Sequence, residues 1–475
     1  MASGSDATAV MLEVALRAEP TKSGRLQGAI RDAIRAGRLT PGDRMPATRT
    51  LAEEFGWSRN VVVDAFDQLI AEGYLAARVG DGTRVAARAT IEPAAPQTSP
   101  NSDLEVPIDV DLQPGVPDLA NFPARAWRRS WSDALDALDV RDLGYGDGQG
   151  APVLRHALAR YLARTRAADI ESGNVLVTTG VSAALRILAG ALTTMHARTP
   201  VFAVEDPGAY TQRVALGAAG AQVVPIPVDE DGAHVGRIAD LDADVVVVTP
   251  AHHYPLGGVL LPERRAALVE WARARPGRLI VEDDYDAEFR YDRKPVGAIQ
   301  GVAPDVTALT SSVSKTLAPG LRLGWMTLPP NIAAPVGQRV ADEFATPDVV
   351  QQHALAALID RGRYDQIIRR RRTTYRQRRA VMVAALEAVP GCSIPGAAGG
   401  LHLTVLLPGT VDDAALSRHL RAGGVDVPPL SRYRLTPGAP GLVASFATAS
   451  PAGVERFAAA LTSALTSSVA IAEHR

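Results

Sequence analysis

Lys315 stands in the stretch S-S-V-S-K-T-L-A-P-G-L-R-L-G, residues 311–324, and Arg322 follows it seven residues later. Apolar, β-type residues flank the stretch on both sides, so the lysine reads as a loop residue between two strands. An amine held on a rigid loop can form a Schiff base with a carbonyl cofactor. Ser312, Ser314 and Arg322 supply hydroxyls and a forked guanidinium suited to that cofactor's phosphate. On this stretch alone a Ser-Lys surface turn is an equal reading. Thirty-two residues before the lysine, the apolar run at 279–282 passes into Asp283-Asp284-Tyr285. An acid at such a strand end can pair with a protonated pyridine nitrogen in low dielectric and keep the ring an electron sink. A solvated acidic turn is the plainer alternative.

The elements that must position these residues are strands and helices in alternation from about Ile108 onward, the pattern of an α/β domain with a mostly parallel sheet. Buried strands are expected at residues 174–178, 201–204, 223–226, 245–248, 279–282 and 306–309, ending in polar residues where ligands of such sheets bind. After Thr178-Thr179-Gly180 a helix is expected to open at Val181, its first amides forming a phosphate cradle.

A different pattern occupies residues 21–86. Leu26, Ile30 and Ile34 fall at helical spacing, a second helix is expected at 48–55, and Ser58 is placed to N-cap a third. Residues 74–85 then read as strand, tight Gly80-Asp81-Gly82 turn and strand. Three helices and a hairpin make a winged helix-turn-helix whose third helix suits the major groove. The unit holds ten basic and eight acidic residues between Lys22 and Arg84, so binding must come from arginines gathered on one face, in a dimer reading two half-sites. Residues 87–106, rich in Pro and small polar side chains, read as a linker, leaving 107–470 for the larger domain.

The run Gly42-Asp43-Arg44-Met45-Pro46-Ala47-Thr48-Arg49, with Ser58-Arg59-Asn60 and the Gly73-Tyr74 to Thr83 segment, resembles the GntR family of bacterial repressors. That resemblance implies DNA contacts from Arg44 and Arg49 at the second helix and from Ser58, Arg59 and Asn60 at the third, with Gly82 at the wing tip in the minor groove. Residues from about 106 to 465 resemble fold-type I aminotransferases, which use pyridoxal 5′-phosphate (PLP). The resemblance implies that Lys315 is the Schiff-base lysine, Asp283 the partner of the pyridine nitrogen (Asp284 being the register alternative) and Tyr285 a donor to the ring's phenolic oxygen. Tyr254 falls where aminotransferases place an asparagine near that oxygen. Val181, Ser182, Ser312, Ser314 and Arg322 would hold the phosphate, with Tyr145 lent to the partner subunit's phosphate.

Two departures stand out. After Glu205-Asp206-Pro207-Gly208 comes Ala209, with Tyr210 one place late for an aromatic stacked on the ring. The region at 442–446 also lacks the arginine with which aminotransferases clamp a substrate carboxylate, and Arg432 and Arg434 are only loose substitutes. Loss of a bidentate clamp costs positioning and argues against efficient transamination.

A GntR-type winged helix joined by a linker to an aminotransferase-like domain is similar to the layout of MocR/GabR-type regulators, which implies a head-to-tail homodimer. Net charge is −2 over 475 residues, with one cysteine, Cys392, and no apolar run of membrane-spanning length. With the polar start, these point to a cytoplasmic protein without disulfides or a Cys-based metal cluster. His252-His253 has no further ligand at zinc spacing, so no metal is expected. The arginine run at 369–379 reads as a solvated or salt-bridged face, with a second DNA-facing surface as the sharper alternative. The expected function is a PLP-binding transcriptional regulator. Because PLP has a cradle and an amino acid lacks its clamp, PLP itself is the expected signal, controlling genes of vitamin B6 synthesis, with an amino-acid effector as the alternative. The rival readings are a working aminotransferase with a DNA-binding appendage and a regulator whose pocket is a structural relic.

Overall fold

The computed structural model describes residues 19–78, 81–87, 107–292, 296–343, 346–396 and 398–472, with side chains described as far as 466. Gly80 of the expected wing turn and residues 88–106 of the expected linker lie outside the described residues. The chain divides into two compact units, Met1–Glu105 and Val106–Arg475.

In the first unit α1 (Lys22–Arg35) starts at Thr21, whose hydroxyl accepts the Gly24 amide. Its Leu26, Ile30 and Ile34 share one face and are buried, as their spacing requires. Helix α2 (Thr48–Phe55) ends where Gly56 turns to φ 62°. Helix α3 (Arg59–Ala71) begins after Ser58, which has extended cap dihedrals but makes no side-chain cap bond. The sequence expectation of a capping hydroxyl is therefore corrected, and Ser58 keeps its hydroxyl exposed. Strands β1 (Leu75–Arg78) and β2 (Gly82–Val85) pair antiparallel with Leu75 opposite Val85. Both residues close a core made with Leu51, Val62, Phe66 and Leu69.

The second unit opens with the short strand β3 (Val110–Asp111), followed by α4 (Ala124–Ala137) and α5 (Pro152–Arg166). Then β4 (Val175–Thr178), α6 (Val181–His196), β5 (Val201–Asp206), α7 (Tyr210–Ala218), β6 (Gln222–Asp229), β7 (Gly232–Ala233), β8 (Val245–Val248), α8 (Pro262–Arg273), β9 (Leu279–Asp283), β10 (Thr307–Ser312) and β11 (Gly324–Thr327) build one eight-stranded sheet and its first helices. Strand order is β4-β11-β10-β9-β8-β5-β6-β7. Neighbours from β10 through β6 run parallel, and β11 runs antiparallel between β10 and β4. Central strands such as β8, Val-Val-Val-Val, are buried along their whole length, as a sheet covered on both faces demands.

Helices α9 (Pro330–Asp342), α10 (Val349–Asp360) and the long α11 (Arg363–Glu387) lead to a smaller C-terminal part. There β12 (His402–Leu406), α12 (Asp413–Ala422), β13 (Val425–Asp426), β14 (Gly441–Ser445) and α13 (Pro451–Ala472) follow. β12 pairs antiparallel with β14, and β13 pairs in parallel with β3. Cys392 is a free thiol, partly buried against this part's core. Among the described residues no helix is long and apolar enough to cross a membrane.

Candidate functional site

Register gathers the chemistry at one edge of the large sheet. Asp283 at the end of β9 sits opposite Thr310 on β10, and Ser312 at the end of β10 sits opposite Gly324 on β11. Gly324 in turn faces Thr178, the last residue of β4. Strands that start in register therefore deliver an acid, a hydroxyl and the entrance to α6 to the same place. The loop between β10 and β11 brings Lys315 there as well.

A cavity of about 360 Å³ opens at this edge, and its walls include Val181, Ser182, Tyr210, Tyr254, Asp283, Tyr285, Ser312, Ser314, Lys315 and Arg322. Ten of the eleven residues expected around a cofactor thus share one cavity. Tyr145 does not line it; its side chain is 92% exposed.

At the phosphate-cradle end, Gly180 has φ 123° and no side chain caps the first turn of α6, whose amides point outward from the helix end. Arg322 holds a left-handed backbone, φ 48°, and its guanidinium lies within 3.9 Å of where a Cβ on Gly180 would stand. A side chain at 180 would be strained by that dihedral and would enter the cradle.

At the other end, Asp283 is buried and receives a short hydrogen bond from Gln212 Nε2 on α7, while its Oδ1 has no partner in the protein. Burial, and then the neighbouring Asp284 charge, raise its carboxyl to about 7. Asp284 points elsewhere: it takes a bidentate ion pair from Arg166 at 2.7 and 2.8 Å, and its carbonyl accepts from Ser311 Oγ at 2.7 Å. Of the two adjacent acids, Asp283 alone lines the cavity.

Between the two ends Lys315 Nζ donates to the Gly115 carbonyl at 2.6 Å, and burial lowers its ammonium pKa against the opposing pull of Asp283 and Asp286. Tyr285 Oη lies 2.9 Å from His252 Nδ1, which also lies 2.9 Å from Asp286 Oδ2. A single Nδ1–H lies between the Asp286 carboxylate and the Tyr285 hydroxyl oxygen, so this histidine tautomer orients both groups. Tyr254 stacks edge-on to both Tyr285 and Tyr433, at 5.6 and 5.5 Å between ring centres. His253 lies 3.7 Å from Glu205, and burial drives the imidazole down to about 3 and the carboxyl up to about 8, so both are neutral.

The two departures seen in the sequence look different in space. Ala209 and Tyr210 both reach the cavity, and the Tyr210 ring is flanked by the guanidiniums of Arg213 and Arg432 at 5.9 and 5.5 Å. Arg432 also lines the cavity, whereas Arg434 is drawn off to the Ala439 carbonyl at 3.2 Å. Phe446, where a clamp was sought, is fully buried in the C-terminal core. Sequence reasoning missed Gln212, Arg166 and the Gln113–Val116 wall. A glutamine in the first turn of a helix carries no sequence signal, and neither does Arg166, one of four arginines in its helix.

In the first unit Arg44, Arg49, Ser58, Arg59, Asn60 and Gly82 are all exposed. Arg49 lies in the first turn of α2, Ser58, Arg59 and Asn60 at the start of α3, Gly82 at the first residue of β2, and Arg44 ahead of α2 in a β-bridge with Arg84. The Arg44 Nε lies 3.4 Å from a Cβ built on Gly82, which has φ 80°, so Arg44 joins the wing. Arg84 instead pairs with Asp81, and Arg31 with Glu72, both within the unit. Among the described residues no carboxylate pairs with Arg44, Arg49 or Arg59.

Comparison with known proteins follows this division. Residues 22–85 match the bacterial regulatory proteins of the gntR family, and residues 108–461 match aminotransferase class I and II. The chain is 34% identical over 418 residues to the HTH-type pyridoxine biosynthesis transcriptional regulator PdxR of Corynebacterium glutamicum, covering 87% of this chain and 89% of that one. It is 33% identical to the probable rhizopine catabolism regulatory protein MocR of Rhizobium meliloti, covering 86% of each. In fold, it matches the kynurenine aminotransferase of Pyrococcus horikoshii with a TM-score of 0.68 at 23% identity, over 75% of this chain and 91% of that one. An aminotransferase fold behind a GntR helix-turn-helix, shared nearly end to end with such regulators, means that the chain belongs to the MocR-type transcriptional regulators.

Proposed function

We propose that this regulator holds PLP in the cavity at the sheet edge and changes its hold on promoter DNA when the cofactor, or an amine that reacts with it, arrives. The observation that carries the reading is the buried Asp283 Oδ1, unpartnered in a cavity that also presents the Lys315 amine. A buried carboxylate oxygen without a donor costs about 1–3 kcal/mol, and a protonated ring nitrogen is the donor that would relieve it. The rest of the donor set fits the same group: Arg322, Ser312, Ser314 and the α6 amides for phosphate, Tyr285 for a phenolic oxygen, Lys315 for an aldehyde. Bound there, PLP would supply an amine-reactive carbonyl backed by an electron-withdrawing ring. Lys315 would hold it covalently, Asp283 would keep the ring nitrogen protonated, and Gln212 would fix the orientation of Asp283. Arg44, Arg49, Ser58, Arg59, Asn60 and Gly82 would contact DNA, in a head-to-tail homodimer whose Tyr145 serves the partner's site.

The kinship with a pyridoxine biosynthesis regulator supports PLP as the signal and genes of B6 synthesis as the target. Arg432 supports a second reading, since its guanidinium on the cavity wall suits an amino-acid carboxylate, the clamp that the sequence around Phe446 lacks. Titrating cofactor-free protein with PLP while measuring affinity for the DNA flanking its own gene separates the two. A change on PLP saturation is the expected result. No change with PLP, followed by a shift on adding one amino acid, would transfer the role of signal to that amino acid.

A further inference from the structure

Away from the cavity, helices α4 and α11 form a groove of about 510 Å³ whose walls hold four arginines and no carboxylate. Arg125 and Arg129 come from α4 at i, i+4, and Arg363 and Arg370 from α11 with Gln366 between them on the same face. Phe122 and Ile367 give the groove an apolar floor. The acid beside it, Asp133, is already taken by Arg361 and stands 3.9 Å from Arg363. Among the described residues no carboxylate pairs with Arg125, Arg129 or Arg370, all of which are exposed. Arg363 Nη1 is buried without a hydrogen-bond partner. Desolvation, then the charges of Arg129 and Arg361, push Arg363 down from its ordinary value. Three of the groove's four arginines thus carry charge that no carboxylate among the described residues answers.

The strip is extended. Arg363 and Arg370 stand seven residues apart on one face of α11, roughly 10 Å along its axis, and Arg369 and Arg376 are exposed about 120° around the helix from them. A small anion would need donors converging on one buried point, and these are spread along two helices in an open trough. We propose that the groove between α4 and α11 binds the sugar-phosphate backbone of DNA flanking the operator, adding sequence-independent affinity to that of the winged helix. The near-neutral winged-helix unit leaves room for such a contribution, and backbone contacts of this kind dominate non-specific affinity. The proposal rests on the reading of the chain as a DNA-binding regulator.

The test uses the full-length protein and a fluorescein-labelled 60-base-pair duplex from the DNA flanking its own gene, titrated at several salt concentrations. The triple variant Arg125→Gln/Arg129→Gln/Arg370→Gln should bind at least tenfold more weakly at low salt, with a log–log salt slope shallower by about 3. A matched triple variant that removes the same charge elsewhere, Arg141→Gln/Arg237→Gln/Arg418→Gln, should keep the parent slope. Equal losses in both triples would reduce the effect to net charge and overturn the proposal. So would an unchanged groove variant, and so would a change in its molar mass in solution, which would make the groove an interface between copies. Arg59→Ala is measured beside them: loss there with none in the groove triple overturns the groove alone. A parent that binds no duplex at low salt overturns the regulator reading as well.

Discussion

In the first unit the residues that would carry function stand outside a small apolar core, on the ends of helices, with few partners in the protein. In the second unit the acid and the tyrosine at the ring end of the cavity are among its most buried polar groups, and each is held by a neighbour. Arg59 and Asn60 are exposed, whereas Asp283 is held by Gln212, Asp284 by Arg166, and Tyr285 by His252, which is itself held by Asp286. A DNA face must remain solvated until the duplex displaces its water, so its arginines are kept free. A cofactor site works in low dielectric, so its charges are fixed in advance by neighbours that cannot be removed cheaply. Substitutions in the two regions should therefore fail differently: outside, binding falls while the fold survives; inside, the two fall together unless the group removed faces the cavity.

Lys315→Ala should show the largest effect of the cavity-facing kind. The covalent link to PLP should vanish completely, read as loss of the borohydride-reducible adduct and of protein-bound absorbance, while the circular dichroism of the fold is kept. A reducible adduct that persists in the variant removes Lys315 from its role. Arg166→Ala is the opposite case. It strands Asp284 in the core, where the two side chains are only 7% and 3% exposed, and should cost about 3–5 kcal/mol. Thermal unfolding of the cofactor-free protein checks this, and a loss below 1 kcal/mol would mean that Asp284 is neutral without its partner.

That contrast also explains what was legible in the sequence. The strand at 245–248 and the helix at 48–55 were readable to the residue, because an unbroken apolar run and a Pro-to-Gly frame carry their own limits. That Lys315, Arg322 and an acid from 283–284 share one cavity was legible because the turns and strand ends that carry them are local in sequence. Which of the two acids faces the cavity was not, since it depends on Arg166, 118 positions from Asp284, taking the Asp284 carboxylate. Arg432 was underrated for the same reason. Its approach to the cavity follows from the packing of Tyr433 against Tyr254 and from Arg213 holding the backbone of both Arg432 and Tyr433, contacts with no trace in local spacing. Ser58 shows a partial miss: it stands at the N-cap position as read, but its hydroxyl makes no cap bond.

On the outside, Arg59→Ala should lower affinity for an identified operator by about 1–3 kcal/mol and relax sequence preference, with stability within about 0.5 kcal/mol of the parent. Competition among operator variants distinguishes a base contact from a phosphate contact. A uniform loss across all sequences, with a shallower salt dependence, would assign Arg59 to the backbone. Unaltered affinity would remove it from the interface and leave Arg44 and Arg49 to account for binding.

The smallest expected effect comes from the buried acids and concerns pH. Asp283 is raised to about 7 in the folded protein, chiefly by burial, against about 3.9 in an unfolded chain. A carboxyl raised on folding binds its proton more tightly in the native state, so stability is fully present below the unfolded pKa and is lost as pH climbs through the folded one. Glu205, at about 8, and Glu282 and Glu288, at about 7, act in the same direction, so the cofactor-free protein should lose stability between pH 6 and 8. Asp283→Asn deletes one of these titrations and should flatten the loss by about 1 kcal/mol over that interval. Loading the parent with PLP should flatten it as well, because a protonated ring nitrogen lets Asp283 ionise inside the fold. The decisive measurement is the pH dependence of the unfolding midpoint for parent and variant, each with and without PLP. If the cofactor-free curves of parent and Asp283→Asn coincide from pH 6 to 8, Asp283 is ionised without its ring partner, and the unpartnered oxygen is no longer an argument for one.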